Sequence, residues 1–145
     1  MLRALKTLRF VQWFLLASIV LYATLGELVR PAAHAVDPTI SYAFSMLAVA
    51  IVGTIFVIRR TLVLRAAENL ATNPDDAVSL GYWRTGYLAT YALCEALALF
   101  GLVLRFMGGT LPQSALYYGG GFVLLCFFGP RAPKTSSLPE IPPKK

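Results

Sequence analysis

Hydrophobic positions in this chain fall into four long runs rather than into the short alternations of a soluble domain. The runs cover residues 10–29, 40–58, 86–106 and 111–128. Each approaches the ~20 apolar residues that a helix needs to cross the ~30 Å hydrocarbon core of a bilayer. Because backbone groups in lipid must find partners within their own segment, each run is expected to be a helix. The pattern predicts an all-α integral membrane protein with four helices in one transmembrane domain, residues 1–129.

The polar stretch between the second and third runs, residues 59–85, predicts a long antiparallel hairpin of helices two and three. Turn-forming residues are scarce before Asn73, so the second helix is expected to continue beyond the membrane to about Leu70. Asn73 has the character of an N-cap, and Pro74 suits the first position of the third helix. We therefore expect the third helix to begin near Pro74. Three aromatic residues near its start are typical of a membrane interface: Tyr82, Trp83 and Tyr87.

Composition and charge support a membrane protein with a defined orientation. Hydrophobic residues make up 57% of the chain and the mean hydropathy is +0.65. Only Arg30 and Arg105 fall on one side of the predicted membrane, whereas eleven basic residues fall on the other. This positive-inside pattern places both termini and the hairpin turn in the cytoplasm. It also accounts for the net charge of +6, so no nucleic-acid partner is expected. The eleven are Arg3, Lys6, Arg9, Arg59, Arg60, Arg65, Arg84, Arg131, Lys134, Lys144 and Lys145.

The two ends of the chain carry separate expectations. A basic start, an apolar run and the sequence Ala33–His34–Ala35 also resemble a signal peptide with its cleavage site, which would leave three spans. The apolar run is longer than the 7–15 residues usual in signal peptides, and we favour an uncleaved helix. Proline-rich residues 130–145 have almost nothing to bury and are expected to form a disordered cytoplasmic tail.

No catalytic pattern stands out. The chain has no nucleophile–base pair, no metal-ligand cluster and no cofactor motif, so we expect neither enzymatic activity nor a bound metal or cofactor. Cys94 and Cys126 lie at different predicted depths, which excludes a disulfide between them and favours small apolar packing roles. Glu27 lies near the outer end of its helix, where it can pair with Arg30 or with Arg105.

Glu95 is the residue that draws attention, because it is an acid within an apolar run. Arg84 precedes it by eleven residues and Arg105 follows it by ten, or about 16 and 15 Å along a helix. If both arginines reach the two interfaces, Glu95 lies near the membrane midplane, where a charged carboxylate costs roughly 2.5–3.5 kcal/mol. We expect it to be largely protonated at neutral pH. Possible hydrogen-bond partners at that depth are Tyr91, Ser45, Thr54 and Ser18.

Small residues recur around Glu95 and within the fourth run. Such residues at helical spacing let a neighbouring helix approach closely. The positions expected to serve helix packing are Gly86, Thr90, Ala92, Ala98, Gly101, Gly119, Gly120 and Gly121.

Two stretches of residues 65–106 are similar to a known family. The run "RAAENLATNPDDA" at 65–77 resembles the polar loop of the c subunit, the rotor-ring proteolipid of rotary ATP synthases. The run "RTGYLATYALCEALALFGLVLRF" at 84–106 resembles its second helix, in which an arginine precedes the ion-binding acid by eleven residues. The resemblance implies that Glu95 carries a proton. It assigns a polar loop to Glu68, Asn73, Pro74, Asp75, Asp76 and Arg84.

The function that this resemblance implies is a proton-binding, c-subunit-like protein in an ion-translocating membrane assembly. Its partners would be the lipid bilayer, the proton, and other membrane subunits or further copies of the chain. Its location would be the bacterial inner membrane. The alternative is a structural or accessory subunit in which Glu95 makes an interhelical hydrogen bond.

Overall fold

The computed structural model describes residues 2–29, 36–73 and 75–131, and the regular secondary structure within these ranges is helical. Helix α1 spans Leu2–Val29, α2 Pro38–Ile58, α3 Arg65–Thr72, α4 Ala77–Phe106 and α5 Leu111–Phe127. A π-helical segment, Arg59–Leu64, joins α2 to α3 without a break, so one helix continues through Pro38–Thr72. The predicted all-α membrane fold with a long central hairpin is confirmed.

Three helices are long and apolar enough to cross a membrane: α1, the continuous helix Pro38–Thr72, and α4. The fourth predicted run forms α5, which has 17 residues and is about 26 Å long at 1.5 Å per residue. This length is at the lower limit of ~17 residues for a spanning helix. The side chain of Gln113 stabilises the start of α5 by accepting the backbone N–H of Thr110 at 3.0 Å.

The start of α4 differs from the sequence prediction. Asn73 caps the end of α3, and its carbonyl accepts the N–H of Asp76 at 3.2 Å to close a turn. Asp76 is the N-cap of α4, because its carboxylate accepts the N–H of Val78 at 3.0 Å. The third predicted helix therefore begins at Ala77 rather than near Pro74. Aspartate and asparagine are both favourable N-cap residues, and the turn geometry gives that position to Asp76 instead of Asn73.

The end of α4 has a Schellman motif, which the sequence does not single out. Gly108 has a φ of 92°, a left-handed conformation that favours glycine. The N–H of Gly109 donates to the carbonyl of Leu104 at 2.9 Å, and that of Gly108 donates to Arg105 at 3.2 Å. These bonds satisfy helix-terminal carbonyl groups and turn the chain directly into α5.

The helices alternate in direction, and α4 contacts all the others. The pair Tyr22–Glu95 and the pair Glu27–Arg105 show that α1 and α4 run parallel. By contrast, α5 runs antiparallel to α4, since Gly121 approaches Cys94 while Gly101 approaches Ser114. The continuous helix that begins with α2 is also antiparallel to α4, since Phe44 contacts Phe100, with ring centroids 5.3 Å apart, while the later Val63 lies against Gly86.

Alternation brings the start of α1, the α3–α4 turn and the end of α5 to the same end of the bundle. This end, called the basic end below, carries eight of the described basic residues. Arg105 lies at the opposite end. The basic residues of the described chain are therefore segregated as the positive-inside pattern predicts. Those at the basic end are Arg3, Lys6, Arg9, Arg59, Arg60, Arg65, Arg84 and Arg131.

The aromatic residues at the start of α4 are placed differently from the prediction. Tyr82 is exposed, as an interfacial residue would be, but Trp83 and Tyr87 are buried in the core. Together with Tyr91 they form a ladder at four-residue spacing, with ring centroids 4.9 and 6.0 Å apart. Four-residue spacing puts the three rings on one face of α4, which packs inward.

Parts of several predictions lie outside the described residues. These are Arg30, the possible cleavage sequence Ala33–His34–Ala35, Pro74, and the tail from residue 132 onward. The first two residues of the predicted tail are described. Pro130 is buried, and Arg131 is exposed, but its backbone N–H donates to the hydroxyl of Tyr87 at 3.3 Å. The backbone is therefore held against the bundle as far as Arg131.

Candidate functional site around Glu95

Glu95 lies on α4 and faces α1. The hydroxyl of Tyr22 on α1 donates a hydrogen bond to Oε1 of Glu95 at 2.7 Å. Both side chains are partly buried. Ser18, one turn before Tyr22, interacts with the same hydroxyl. The Tyr22–Glu95 bond therefore crosses the α1–α4 contact, with Ser18 near the Tyr22 hydroxyl.

The second carboxyl oxygen of Glu95 has a different environment. Within the described ranges, no hydrogen bond reaches Oε2, and it is not one of the fully buried polar atoms that lack a partner. The Glu95 side chain is partly exposed beside the α1–α4 contact. The carboxyl group is therefore held through Oε1 by Tyr22 without being enclosed in the core.

The other partners predicted for Glu95 lie elsewhere. Thr54 donates to the carbonyl of Ala50 at 2.8 Å, within its own helix. Ser45 donates to Ser41 in the same way, and its hydroxyl lies 3.4 Å from that of Tyr117. Hydroxyl groups of serine and threonine commonly bond back to the preceding turn of a helix, which removes both from the Glu95 site.

Tyr91 lies one turn before Glu95 but points into the core. Its side chain is fully buried, and its hydroxyl has no hydrogen-bond partner among the described residues. Of the four predicted partners, only Ser18 lies near this site, close to the hydroxyl of Tyr22 and not bonded to Glu95 itself. The sequence could not predict which residues of α1 lie beside Glu95, because no short turn connects α1 to α4 and fixes their alignment.

An ion pair lies at the end of the same helix pair that is opposite to the basic end. Nε of Arg105 lies 3.0 Å from Oε1 of Glu27, and Nη1 of Arg105 donates to the carbonyl of Gly109 at 2.7 Å. Of the two partners considered for Glu27, Arg105 is therefore one that it contacts. Arg105 sits at the end of α4, and Arg84 is exposed near its start. Glu95 lies between them along the helix, at the position that the spacing predicts for the middle of a membrane.

Arg59 has a role beyond the topological one that its charge suggests. Its guanidinium carbon lies 4.2 Å from the centroid of the Phe128 ring and 5.3 Å from that of Tyr87. Nη1 is buried without a hydrogen-bond partner among the described residues. Arg59 is the first residue of the π-helical segment, and its guanidinium group faces the Tyr87 ring of the aromatic ladder. The sequence carries no signal for a π-helix. From the sequence alone, Arg59 could be recognised only as a basic residue that follows an apolar run.

Close helix contacts depend on part of the predicted set of small residues. A Cβ atom at Gly101 would lie 2.8 Å from the carbonyl oxygen of Ser114, and one at Gly121 would lie 2.6 Å from that of Cys94. At Gly86 it would lie 2.7 Å from a methyl group of Val63. Thr90 and Ala98 are fully buried on the same helix, α4.

The remaining small residues contribute less. Ala92 is exposed, Gly119 would accept a Cβ without meeting any atom within 4 Å, and Gly120 makes an ordinary contact with Leu97. Both cysteines are free, as expected, but only Cys94 is buried. Cys126 is exposed and does not act as a core packing residue.

The residues of the predicted polar loop occupy the α3–α4 turn and the helices beside it. Glu68 and Arg84 are exposed on α3 and α4, and Asp75 is exposed in the turn. The interval of eleven positions from Arg84 to Glu95 keeps Arg84, the member of this group on α4, about 16 Å from the Glu95 site along the helix. The structure does not bring the two sets together. Among the described residues, no group of three His, Cys, Asp or Glu side chains could hold a metal ion.

The fold and the site define a small all-helical membrane protein in which a partly buried carboxyl group on the central helix is bonded to a tyrosine of a parallel helix. No family model matches the chain, and neither a curated protein nor a solved structure is detectably similar to it.

Proposed function

We propose that this chain is a proton-binding membrane protein, similar in its α2–α4 hairpin to the c subunit, in which Glu95 takes up and releases protons within an ion-translocating assembly. The observation that carries the proposal is the environment of the Glu95 carboxyl group. Oε1 accepts a hydrogen bond from Tyr22, and the side chain is only partly buried. Intramembrane acids are functional candidates by default. Placing an acid in the membrane is energetically costly, and an apolar residue would pack there without that cost.

The hydrogen bond from Tyr22 supports this proposal in a specific way. A tyrosine hydroxyl can donate to the ionised carboxylate and can accept from the protonated acid. The same neighbour therefore serves both protonation states of Glu95. With Ser18 beside it, the Tyr22 hydroxyl can reorient without losing all its polar contacts.

The test is modification by dicyclohexylcarbodiimide, a hydrophobic reagent that attacks protonated carboxyl groups within lipid. In membranes at neutral pH, we expect mass spectrometry of the chain to find the adduct on Glu95. The adduct should be absent from Glu95→Gln. It should be present in Glu27→Gln, because Glu27 is held in an ion pair at the end of the bundle opposite to the basic end and is not the labelled acid. Labelling of other membrane acids in the same preparation, with Glu95 unmodified, would refute proton binding by Glu95.

A second candidate function is a structural or accessory subunit, and one observation favours it. The Tyr22–Glu95 bond ties α1 to α4, the helix that all the others contact. In this case the bond would fix the arrangement of α1 on α4. Glu95→Gln would then preserve assembly, because the glutamine carbonyl still accepts from Tyr22, and would leave proton flux across the membrane unchanged. Loss of flux in Glu95→Gln, at normal expression, would exclude a purely structural role.

A further inference from the structure

A cleft at the basic end of the bundle separates the start of α1 from the end of α5. Its volume is about 460 Å³, which is in the range of small-molecule sites. It is distinct from the Glu95 site, and neither the c-like hairpin nor the proton-binding proposal uses it. Its walls include Arg9, Gln12, Trp13, Cys126, Pro130 and Arg131.

The α1 wall of the cleft changes from charged to apolar along the helix. Arg9, Gln12, Trp13 and Leu16 line it at spacings of three and four residues, which places them on one face. From Arg9 to Leu16 the helix advances about 10 Å toward the interior of the predicted span. Trp13 is 71% exposed despite its size. The wall thus offers a cation at the level of lipid headgroups and an apolar surface at the level of acyl chains.

The opposite wall repeats this order. Arg131 follows the end of α5, and Phe127, which is 69% exposed, lies on its membrane side. The two arginines come from opposite ends of the chain, and the described residues that line the cleft include no acid. A phosphate placed between them would meet two positive charges, with no opposing carboxylate in the lining.

The cleft is held in shape by hydrogen bonds. Gln12 donates from Nε2 to the carbonyl of Leu125 at 2.8 Å, which ties α1 to α5 at the floor of the cleft. The backbone of Arg131 is fixed to α4 through the hydroxyl of Tyr87. Both walls are therefore positioned before any ligand binds, which lowers the cost of binding.

We propose that this cleft binds an anionic phospholipid, with the headgroup phosphate between Arg9 and Arg131 and the acyl chains along Trp13, Leu16 and Phe127. A soluble phosphate compound would leave these apolar side chains uncovered, whereas a lipid covers them. Basic pockets between membrane helices are known to take anionic headgroups.

The experiment uses the fluorescence of Trp13 in the full chain reconstituted into vesicles. Lipids with brominated acyl chains quench a tryptophan that they contact. One set of vesicles carries brominated phosphatidylglycerol in phosphatidylcholine, and the other carries brominated phosphatidylcholine in phosphatidylglycerol, at equal mole fractions. The chain has two tryptophans, and Trp13→Phe measures the contribution of the buried Trp83 so that it can be subtracted.

We expect brominated phosphatidylglycerol to quench Trp13 more strongly, with a preference of about fivefold for each arginine, the fold-change that corresponds to about 1 kcal/mol per basic residue. The double variant Arg9→Gln/Arg131→Gln should remove the preference. The matched double variant Arg3→Gln/Arg60→Gln removes the same charge from exposed positions at the same end and should keep it.

Three results would overturn the proposal. Equal quenching by the two brominated lipids would show that Trp13 meets only unselected bilayer lipid. An equal loss of preference in the two double variants would assign it to the charge of the whole basic end. Removal of the preference by inorganic phosphate would assign the cleft to a soluble anion. If Arg9→Gln/Arg131→Gln does not fold, as judged by helix content, the comparison of the two lipids on the unmodified chain decides the question.

Discussion

The hydroxyl of Tyr22 donates to Oε1 of Glu95 across 2.7 Å, joining two residues that are 73 positions apart in sequence. Among the described residues this is the one side-chain hydrogen bond of Glu95, and it connects the first predicted span to the third. It makes α1 part of the Glu95 site.

Replacing Tyr22 with phenylalanine removes this bond while keeping the ring. We expect Tyr22→Phe to lower the free energy of unfolding by about 0.5–1.5 kcal/mol, the usual net value of one hydrogen bond, which is similar in membranes. Thermal unfolding in detergent would measure it. Tyr42→Phe is the matched control, because Tyr42 is 72% exposed on α2. An equal loss in both variants would show that the Tyr22–Glu95 bond contributes nothing specific.

The Glu27–Arg105 pair predicts unequal effects from its two members. Arg105 also donates to the carbonyl of Gly109 at 2.7 Å, so Arg105→Gln loses an ion pair and a contact with the turn after α4. We expect Arg105→Gln to lower the free energy of unfolding by about 2 kcal/mol and Glu27→Gln to lower it by less. Both values lie below the roughly 3–5 kcal/mol that breaking a fully buried ion pair costs. Unfolding titrations with denaturing detergent would compare them, and a larger loss in Glu27→Gln would contradict the role given to Gly109.

The three consecutive glycines of α5 provide an internally controlled prediction. A Cβ at Gly121 would lie 2.6 Å from the Cys94 carbonyl oxygen, but one at Gly119 would meet nothing within 4 Å. Gly121→Ala should therefore force α5 away from α4 and destabilise the protein by about 1–3 kcal/mol.

Gly119→Ala should be neutral or stabilising by up to about 1 kcal/mol, because alanine favours the helix over glycine. Far-UV circular dichroism during heating would measure both variants. Similar behaviour of the two would mean that the close α4–α5 contact is not present in solution.

Asp76 gives a prediction about pH. Its carboxylate is bonded by the side chain of Ser79 and by the N–H of Val78, and these bonds lower the pKa of Asp76 below its ordinary value of 3.8. A lowered pKa means that the charged cap stabilises the folded state above the ordinary value. That contribution is lost as the pH falls through the lowered pKa.

We therefore expect Asp76→Ala to increase hydrogen exchange at the amides of Val78 and Ser79 at neutral pH. The difference from the unmodified chain should shrink as the pH falls below 3.8. Asp75→Ala is the control, because Asp75 is exposed in the same turn. A difference that stays constant down to the lowest pH would show that the charge of Asp76 is not involved.

Much of the fold could be predicted from the sequence, because the apolar runs are long enough to be recognised as helices without knowing what they pack against. The helical hairpin followed from the scarcity of turn residues before Asn73. The pairing of Glu27 with Arg105 was one of two options, and charge was sufficient to raise it. These features are local or depend on charge alone.

The environment of Glu95 was harder to predict, because it depends on how α1 packs on α4. Spacing placed the acid between Arg84 and Arg105, but it could not identify Tyr22, which requires the rotation of α1 about its own axis. The same limit explains why Trp83 and Tyr87 were assigned to the interface. Aromatic residues near a membrane boundary are compatible with lipid or with a core, and only the packed helices distinguish the two.

The π-helical segment Arg59–Leu64 separates a largely exposed part of the long second helix from a part with several buried residues. Before it, α2 has Ile55 as its buried residue and is otherwise largely open, while Val63, Ala66 and Leu70 within and beyond it are buried. A π-turn holds an additional residue, so it offsets the phase of the following side chains by one position, or about 100° of helix rotation. Deleting one residue there would therefore do more than shorten the helix. It would rotate the buried residues Ala66 and Leu70 away from α4 and disrupt the packing between the two helices of the hairpin.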